Sequence, residues 1–371
     1  MNPSHRLAWI DALKGIGIII VAIGHHPAVW AYSESLGRVI FSVSMPLFFF
    51  ITGLTLDHGM SARALAMRAL SCLIPYFALS LASIPMIFHL HPQTALLDIV
   101  LGVVYATGHT IFTVPLWFLP CLAVALSLLF VLDKIELQLA GPARYQSAIT
   151  QLVLFVALQA AWQFAISLDH HLERRIGWGN FSTSGAPWSA EVALVGASFV
   201  ILGRLFTRHV GNTPWMKRPQ WGSAFLISAA FIATNLLLHP TVDLNWRYDK
   251  PLVLSALIAA AGIMAAVTIA ISIRSSAVTS VLRWLGTTTI LILWLHATLE
   301  KTAFNALDGR IGSLSALIIS VLIALLVPAA ISSALKKLPW LHGFIAPGPY
   351  LKRFLADKPA TRVGVKQVRA E

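Results

Sequence analysis

Charge is scarce in this chain. Of its 371 residues only 11% are charged, with 15 Asp and Glu against 27 Lys and Arg. Soluble domains carry about 25% charge, so a chain this poor in it cannot cover a water-facing surface. The soluble two- or three-domain protein that length alone would suggest is excluded. Cysteine is nearly missing as well. Cys72 and Cys121 both lie inside apolar runs, which excludes a disulfide framework and a zinc quartet, and no metal site is expected. No internal repeat of roughly 20–50 residues is present, so a solenoid is excluded too. What the chain has in abundance is apolar: 57% hydrophobic residues and a mean hydropathy of +0.76. Its solvent is lipid.

The net charge of +12 resembles a nucleic-acid signal until its placement is considered. Basic residues occupy short loops and a C-terminal tail between long apolar runs. That is positive-inside patterning and contact with anionic lipid headgroups, so membrane lipids are the expected partner and nucleic acid is not. A spanning helix needs roughly 20 mainly apolar residues. Windows of that kind fall near 11–30, 39–56, 70–88, 115–132, 147–168, 188–206, 222–239, 251–273, 286–303 and 314–334. The run 95–107 is apolar but short, and reads as a re-entrant or interfacial helix. Arg6 followed by an apolar stretch resembles a signal peptide, but Asp11 and Lys14 within it and the lack of a small-residue cleavage site favour an uncleaved first span.

With the N-terminus inside, most Lys and Arg fall on the cytoplasmic side, and the basic tail joins them only if the span number is even. The expected fold is therefore an all-α integral membrane bundle of about ten helices, both termini cytoplasmic. Residues 1–335 form the membrane domain and 336–371 a basic cytoplasmic tail, disordered and headgroup-associated after Pro347. The longest external loop, 169–187, either closes over a substrate or is an ordinary solvated connection.

Ionisable groups inside a span are costly, and each is a functional hypothesis by default. The first span holds several. Lys14 and His25 are eleven residues apart, about three turns at 3.6 residues per turn, so they share a face about 16 Å apart along the axis. Asp11 lies about one turn before Lys14. His26 points roughly 100° away, and Pro27 ends or kinks the helix. Gly15 and Gly24, with Ala22 near the same face, leave room for a neighbouring helix or a thin ligand.

Bland and functional readings compete at each position. His25 has a side chain suited to proton transfer near neutral pH, or it hydrogen-bonds across helices. Lys14 grips a phosphate or snorkels to headgroups; Asp11 supports it or serves the helix dipole. His296 and Glu300, four apart on one helix face, form a structural pair or an oriented imidazole and a hydroxyl-binding carboxylate. Arg63 and Arg68 reflect topology or bind phosphates. Trp117 is an interfacial belt residue, a sugar-stacking platform or a tunnel wall. Glu191 and Arg247 lie at external span ends, where an acceptor would arrive.

Asp11-Ala-Leu-Lys14-Gly-Ile-Gly-Ile and Gly24-His25 resemble the first helix of the acyltransferase-3 family, whose signature is a basic residue, ten intervening residues and a histidine. Met45-Pro-Leu-Phe-Phe-Phe-Ile-Thr52-Gly53 resembles its second helix, with Thr where Ser is common. Arg63, Arg68 and Ile74-Pro75-Tyr76 resemble its third, and Leu116-Trp117-Phe118-Leu119 a later one. Trp284-Leu-Gly286 with Ile292-Leu-Trp-Leu-His296 resembles a further helix, with Thr287 to Thr289 replacing the usual serine region. The resemblance covers about residues 6–335, and 242–251 resemble the fucose 4-O-acetylase-like branch.

The resemblance implies a multi-pass protein of the bacterial inner membrane that transfers an acyl group to a carbohydrate or lipid-linked sugar hydroxyl. The donor would be acyl-CoA, usually acetyl-CoA, used as co-substrate, with no permanently bound cofactor. Within it His25, Lys14 and Asp11 form the catalytic face, and Arg63 and Arg68 bind donor. Trp117, Glu191, Arg247, His296 and Glu300 shape the acceptor side. A secondary transporter and a catalytically dead relative acting in polysaccharide export are the rival readings.

Overall fold

The computed structural model describes residues 3–56, 59–144, 147–172, 177–178, 181–182, 185–250 and 252–356. The apolar windows become helices. In chain order these are α1 (Pro3–His25), α2 (Pro27–Tyr32), α3 (Glu34–Leu54), α4 (Ala62–Ala82), α5 (Ile84–Leu90), α6 (Leu96–Tyr105), α7 (Phe118–Arg144) and α8 (Ala148–Leu172). They continue as α9 (Val192–His209), α10 (Trp221–Leu238), α11 (Leu252–Ser272), α12 (Ser276–Thr287), α13 (Thr289–Ile311), α14 (Ser313–Leu335), α15 (Pro339–Ile345) and α16 (Gly348–Ala356). Two antiparallel hairpins interrupt them: β1 (Gly177–Trp178) with β2 (Phe181–Ser182), and β3 (Thr241–Asp243) with β4 (Tyr248–Lys250).

Among the described residues nine helices are long and apolar enough to cross a membrane alone, and α12 with α13 makes a tenth, bent by 85°. This is an all-α integral membrane bundle. The run at 95–107 forms α6, ten residues long and too short to span. The chain after Pro347 carries α16, where sequence patterning predicts disorder; residues 357–371 lie outside the described residues, as do 173–176, 179–180 and 183–184 of the loop 169–187.

Small residues decide how closely the helices approach. A Cβ on Gly15 would sit 2.1 Å from the Leu282 carbonyl oxygen, and one on Gly286 1.9 Å from that of Asp11, so α1 and α12 touch backbone to backbone. Gly53 and Gly203 do the same for α3 and α9, each 2.1 Å from the opposing carbonyl. A buried ion pair joins α7 to α9. Arg204, 1% exposed, donates from Nη1 and Nη2 to Asp133 Oδ1 and Oδ2 at 2.9 and 3.1 Å. The two-pronged geometry satisfies both charges where water cannot. With α1 closed on α12, and α3 on α9, which is tied to α7, α1 and α3 are held as fixed walls.

Candidate active site

Three cavities lie in the same order along α1, along α3 and along the segment that runs from the turn Val114–Trp117 into α7. The first, of about 660 Å³, is lined by Lys14 on α1, by Ile51, Thr52 and Thr55 at the end of α3, and by Leu122 and Leu126 on α7. One turn further along α1 is a separate, smaller cavity of about 60 Å³ between Ile18, Met45, Phe48, Phe118 and Leu293, placed as a neck between the other two. Beyond it a chamber of about 410 Å³ is lined by His25 on α1, by Arg38 and Phe41 at the start of α3, and by Val114 and Trp117. Because α3 runs antiparallel to α1, its numbers fall as those of α1 rise. Three helices thus give one sequence: polar mouth, apolar neck, polar chamber.

Local partners set the two histidines differently. His25 Nδ1 lies 2.9 Å from the Val21 carbonyl oxygen. A carbonyl only accepts, so Nδ1 carries the proton and Nε2 of the neutral ring keeps a bare lone pair. His26 is the reverse. Its Nδ1 accepts from the Ala28 backbone N–H at 3.1 Å, capping α2 ahead of Pro27, and its Nε2 therefore donates to Ser320 Oγ at 2.8 Å. His26 is fully buried and satisfied, whereas His25 is half-buried at a chamber wall.

Behind His25 the bent span supplies a second polar pair. The His296 ring meets the His25 ring edge-on at 5.0 Å. His296 Nδ1 donates to the carbonyls of Ile292 at 2.8 Å and Leu293 at 3.1 Å, which leaves Nε2 without a protein partner. Glu300, one turn on and 0% exposed, has no protein partner for either carboxylate oxygen. Buried polar groups are ordinarily hydrogen-bonded, and here two groups about a turn apart keep unused hydrogen-bonding capacity beside the His25 ring.

The β3–β4 hairpin closes the chamber opposite α1, contributing Val242, Asp243, Asn245 and Trp246. Trp30 and Trp117 add aromatic surface and Arg38 a cation. Asp243 Oδ1 accepts the backbone N–H groups of Asn245 and Trp246 at 2.9 and 3.0 Å, tying the hairpin tip. Burial pushes its carboxyl up to about 6, against the lowering effect of those hydrogen bonds and of Arg247. Arg247, at φ +60°, donates from Nε to Glu191 Oε1 at 2.6 Å and from Nη1 to the Asn245 carbonyl at 2.8 Å. Glu191 Oε2 accepts the Ala186 N–H at 3.0 Å.

The residues singled out in the sequence divide accordingly. Lys14 and Arg68 share the first cavity, and Asp11 holds Lys14 at 3.1 Å. Trp117 and His25 share the chamber, with His296 and Glu300 behind. Arg63 is exposed and outside the cavity wall, about 1.4 helical turns from Arg68. Glu191 and Arg247 are buried against each other and anchor the hairpin instead of facing the chamber. Gly15 and Gly24 admit helices, not a ligand: Gly15 meets α12, and Gly24 meets Ile40 and Phe41 of α3. Ala22 packs away from the chamber among Leu285, Ile292 and Val321. Arg38, Asp243 and Trp246 are chamber residues to which motif reading gives no site role, although 242–251 carry a resemblance. Their shared signal is polar or aromatic character at span ends on the His25 side, which many solvated residues also have.

A membrane bundle with two polar cavities and an apolar neck along a helix that ends in a bare imidazole is a multi-pass membrane protein with a candidate active site. The chain belongs to the acyltransferase-3 family: it matches that family's acyltransferase domain over residues 7–333. It is a membrane acyltransferase. The match is to the family as a whole and does not separate the fucose 4-O-acetylase-like branch. No curated protein and no solved structure matches the chain.

Proposed function

We propose that this protein O-acylates a carbohydrate or lipid-linked sugar at the bacterial inner membrane, using acyl-CoA, with acetyl as the acyl group. The observation that carries the reading is the shared order of mouth, neck and chamber on three helices, with the open Nε2 of His25 in the chamber. Lys14 and Arg68 give the mouth the charge to hold a phosphate-bearing donor. The neck admits a thin, largely apolar arm and little else, which favours a short acyl group. Trp30, Trp117 and Trp246 offer faces for sugar rings, and Arg38 and Asp243 offer hydrogen bonds to hydroxyls.

In this reading the thioester comes up beside His25 from the Lys14 side and the acceptor hydroxyl enters from the hairpin side. His25 Nε2 accepts the hydroxyl proton as the oxygen attacks the thioester carbonyl, and returns it to the departing thiolate. Alternatively the same lone pair takes the acyl group as a transient acyl-imidazole, and the sugar hydroxyl then attacks that. Either way the products are an O-acyl sugar and free CoA. His296 braces the His25 ring, and Glu300 keeps its acceptor capacity for a group that enters. Holding both substrates along one dry path supplies the orientation advantage.

The test is mass spectrometry of envelope glycans from cells with the gene, without it, and complemented with His25→Ala. An acyl mass lost with the gene and not restored by His25→Ala is expected. If His25→Ala restores it fully while expressed at the normal level, the reading fails.

A further inference from the structure

The acyltransferase match ends at residue 333, but the folded chain does not. After α14 the backbone turns at Leu338 into α15, whose Ile345 is buried in the main core, and then into α16. Both short helices pack on α4. His342 and Tyr350 tie them together, His342 Nδ1 lying 3.3 Å from the Tyr350 hydroxyl. The two helices form a strap docked across α4, not a loose tail.

The strap ends beside the first cavity. Gly348 and Lys352, four residues apart and so on one face of α16, both line it. A Cβ on Gly348 would lie 3.6 Å from Ser71 Oγ, so the backbone of α16 abuts the α4 wall. The cavity therefore gathers cations from three distant parts of the chain, Lys14, Arg68 and Lys352; among the described residues no carboxylate lines it, and Asp11, outside the lining, pairs with Lys14. Ser61, Ser71 and Thr55 add hydroxyls. Positive-inside topology accounts for lysines scattered on one face of a membrane protein. It gives no reason for three cations to converge on one concave space, whereas a ligand with several phosphates does.

We infer that Lys352 is a donor-binding residue, and that the α15–α16 strap forms the outer wall of the donor cavity, taking the phosphate-bearing end of acyl-CoA. This rests on the donor assignment made above. Lys352 is exposed at its other side, so its ammonium acts as a salt-sensitive point charge on a flexible stem.

The experiment uses the full chain in nanodiscs of neutral phosphatidylcholine, which removes anionic headgroups as competing partners. Calorimetry measures binding of CoA and of pantetheine, which lacks the phosphates. Lys352→Ala should weaken CoA binding about three- to tenfold at low salt, less at high salt, and leave pantetheine unchanged. Lys352→Arg should restore CoA binding, and Lys337→Ala, on the same tail, should match the wild type. Wild-type CoA affinity in Lys352→Ala overturns the inference, as does an equal loss for pantetheine, which would make the strap a purely structural wall. If the wild-type protein binds no CoA, the donor assignment itself fails and the role of Lys352 falls with it.

Discussion

Blocking the neck separates the donor path from everything else in the site. The free space there is about 60 Å³, roughly two waters' worth at ~30 Å³ each. Met45 is half-buried at its wall, on α3 between the mouth and the chamber. Met45→Trp puts an indole where a thioether stood and fills that space, while Lys14, Arg68 and His25 keep their surroundings. With the path closed, kcat/KM for the donor should fall at least hundredfold, about 2.7 kcal/mol in the barrier. CoA binding at the mouth should change little, and acceptor binding at the chamber not at all. The assay is two-substrate kinetics in nanodiscs, each substrate varied in turn, with CoA affinity measured separately. Phe48→Leu is the converse: it widens the neck and should raise the relative use of longer acyl donors. A folded Met45→Trp protein within about threefold of wild-type donor kcat/KM would show that acyl groups do not pass between α1, α3 and α7.

Two further outcomes are expected. Asp243 has its carboxyl raised to about 6 in the folded hairpin, from 3.8, so the fold favours the protonated form. Hairpin stability should be greatest below about pH 4 and fall as pH rises through about 6. Hydrogen exchange of residues 241–250 should report this, and Asp243→Asn should remove the dependence; a protection profile flat from pH 4 to 7 in the wild type refutes it. The charge bias predicts that both termini are cytoplasmic, so reporters fused after Glu371 and within 169–187 should register opposite sides of the membrane; the same side from both would overturn the even span number.

The bundle was legible because lipid imposes a length and a composition on every span, and both are written locally in the sequence. Direction is not. The window at 286–303 is continuous in hydropathy, yet the helix turns by 85° at Thr288, starting instead from α12 at Ser276. A hydropathy sum cannot see a bend; the Gly286-Thr287-Thr288-Thr289 run was the only local hint. Along α1 the site was legible for the same reason as the spans: helical period fixes which of Lys14, His25 and His26 share a face. Contacts made across the chain were not. The pairing of Glu191 with Arg247 joins residues 56 apart and the approach of Lys352 to Lys14 joins opposite ends. Neither has a pattern at short range. Gly15 and Gly24 illustrate the limit: small residues announce a close approach without saying whether a helix or a ligand makes it.

The lock between His26 and Ser320 also has a meaning in time. The two residues are 294 positions apart, and at about 5–20 residues per second a ribosome needs roughly 15–60 s to make the second after the first. For most of that interval α1 is in the bilayer without α12 and α13, and to its end without a complete α14, the helices that cover its polar face in the finished protein. Its own sequence supplies the interim solution. Asp11 and Lys14 neutralise each other within one turn, and His25 donates to the carbonyl of Val21 in its own helix. His26 is the group with no such local outlet for its second nitrogen, and it must wait for the last-made spans. The first helix to enter the membrane is therefore among the last to be sealed, and a chain truncated before α14 would leave His26 exposed as a mark of incomplete assembly.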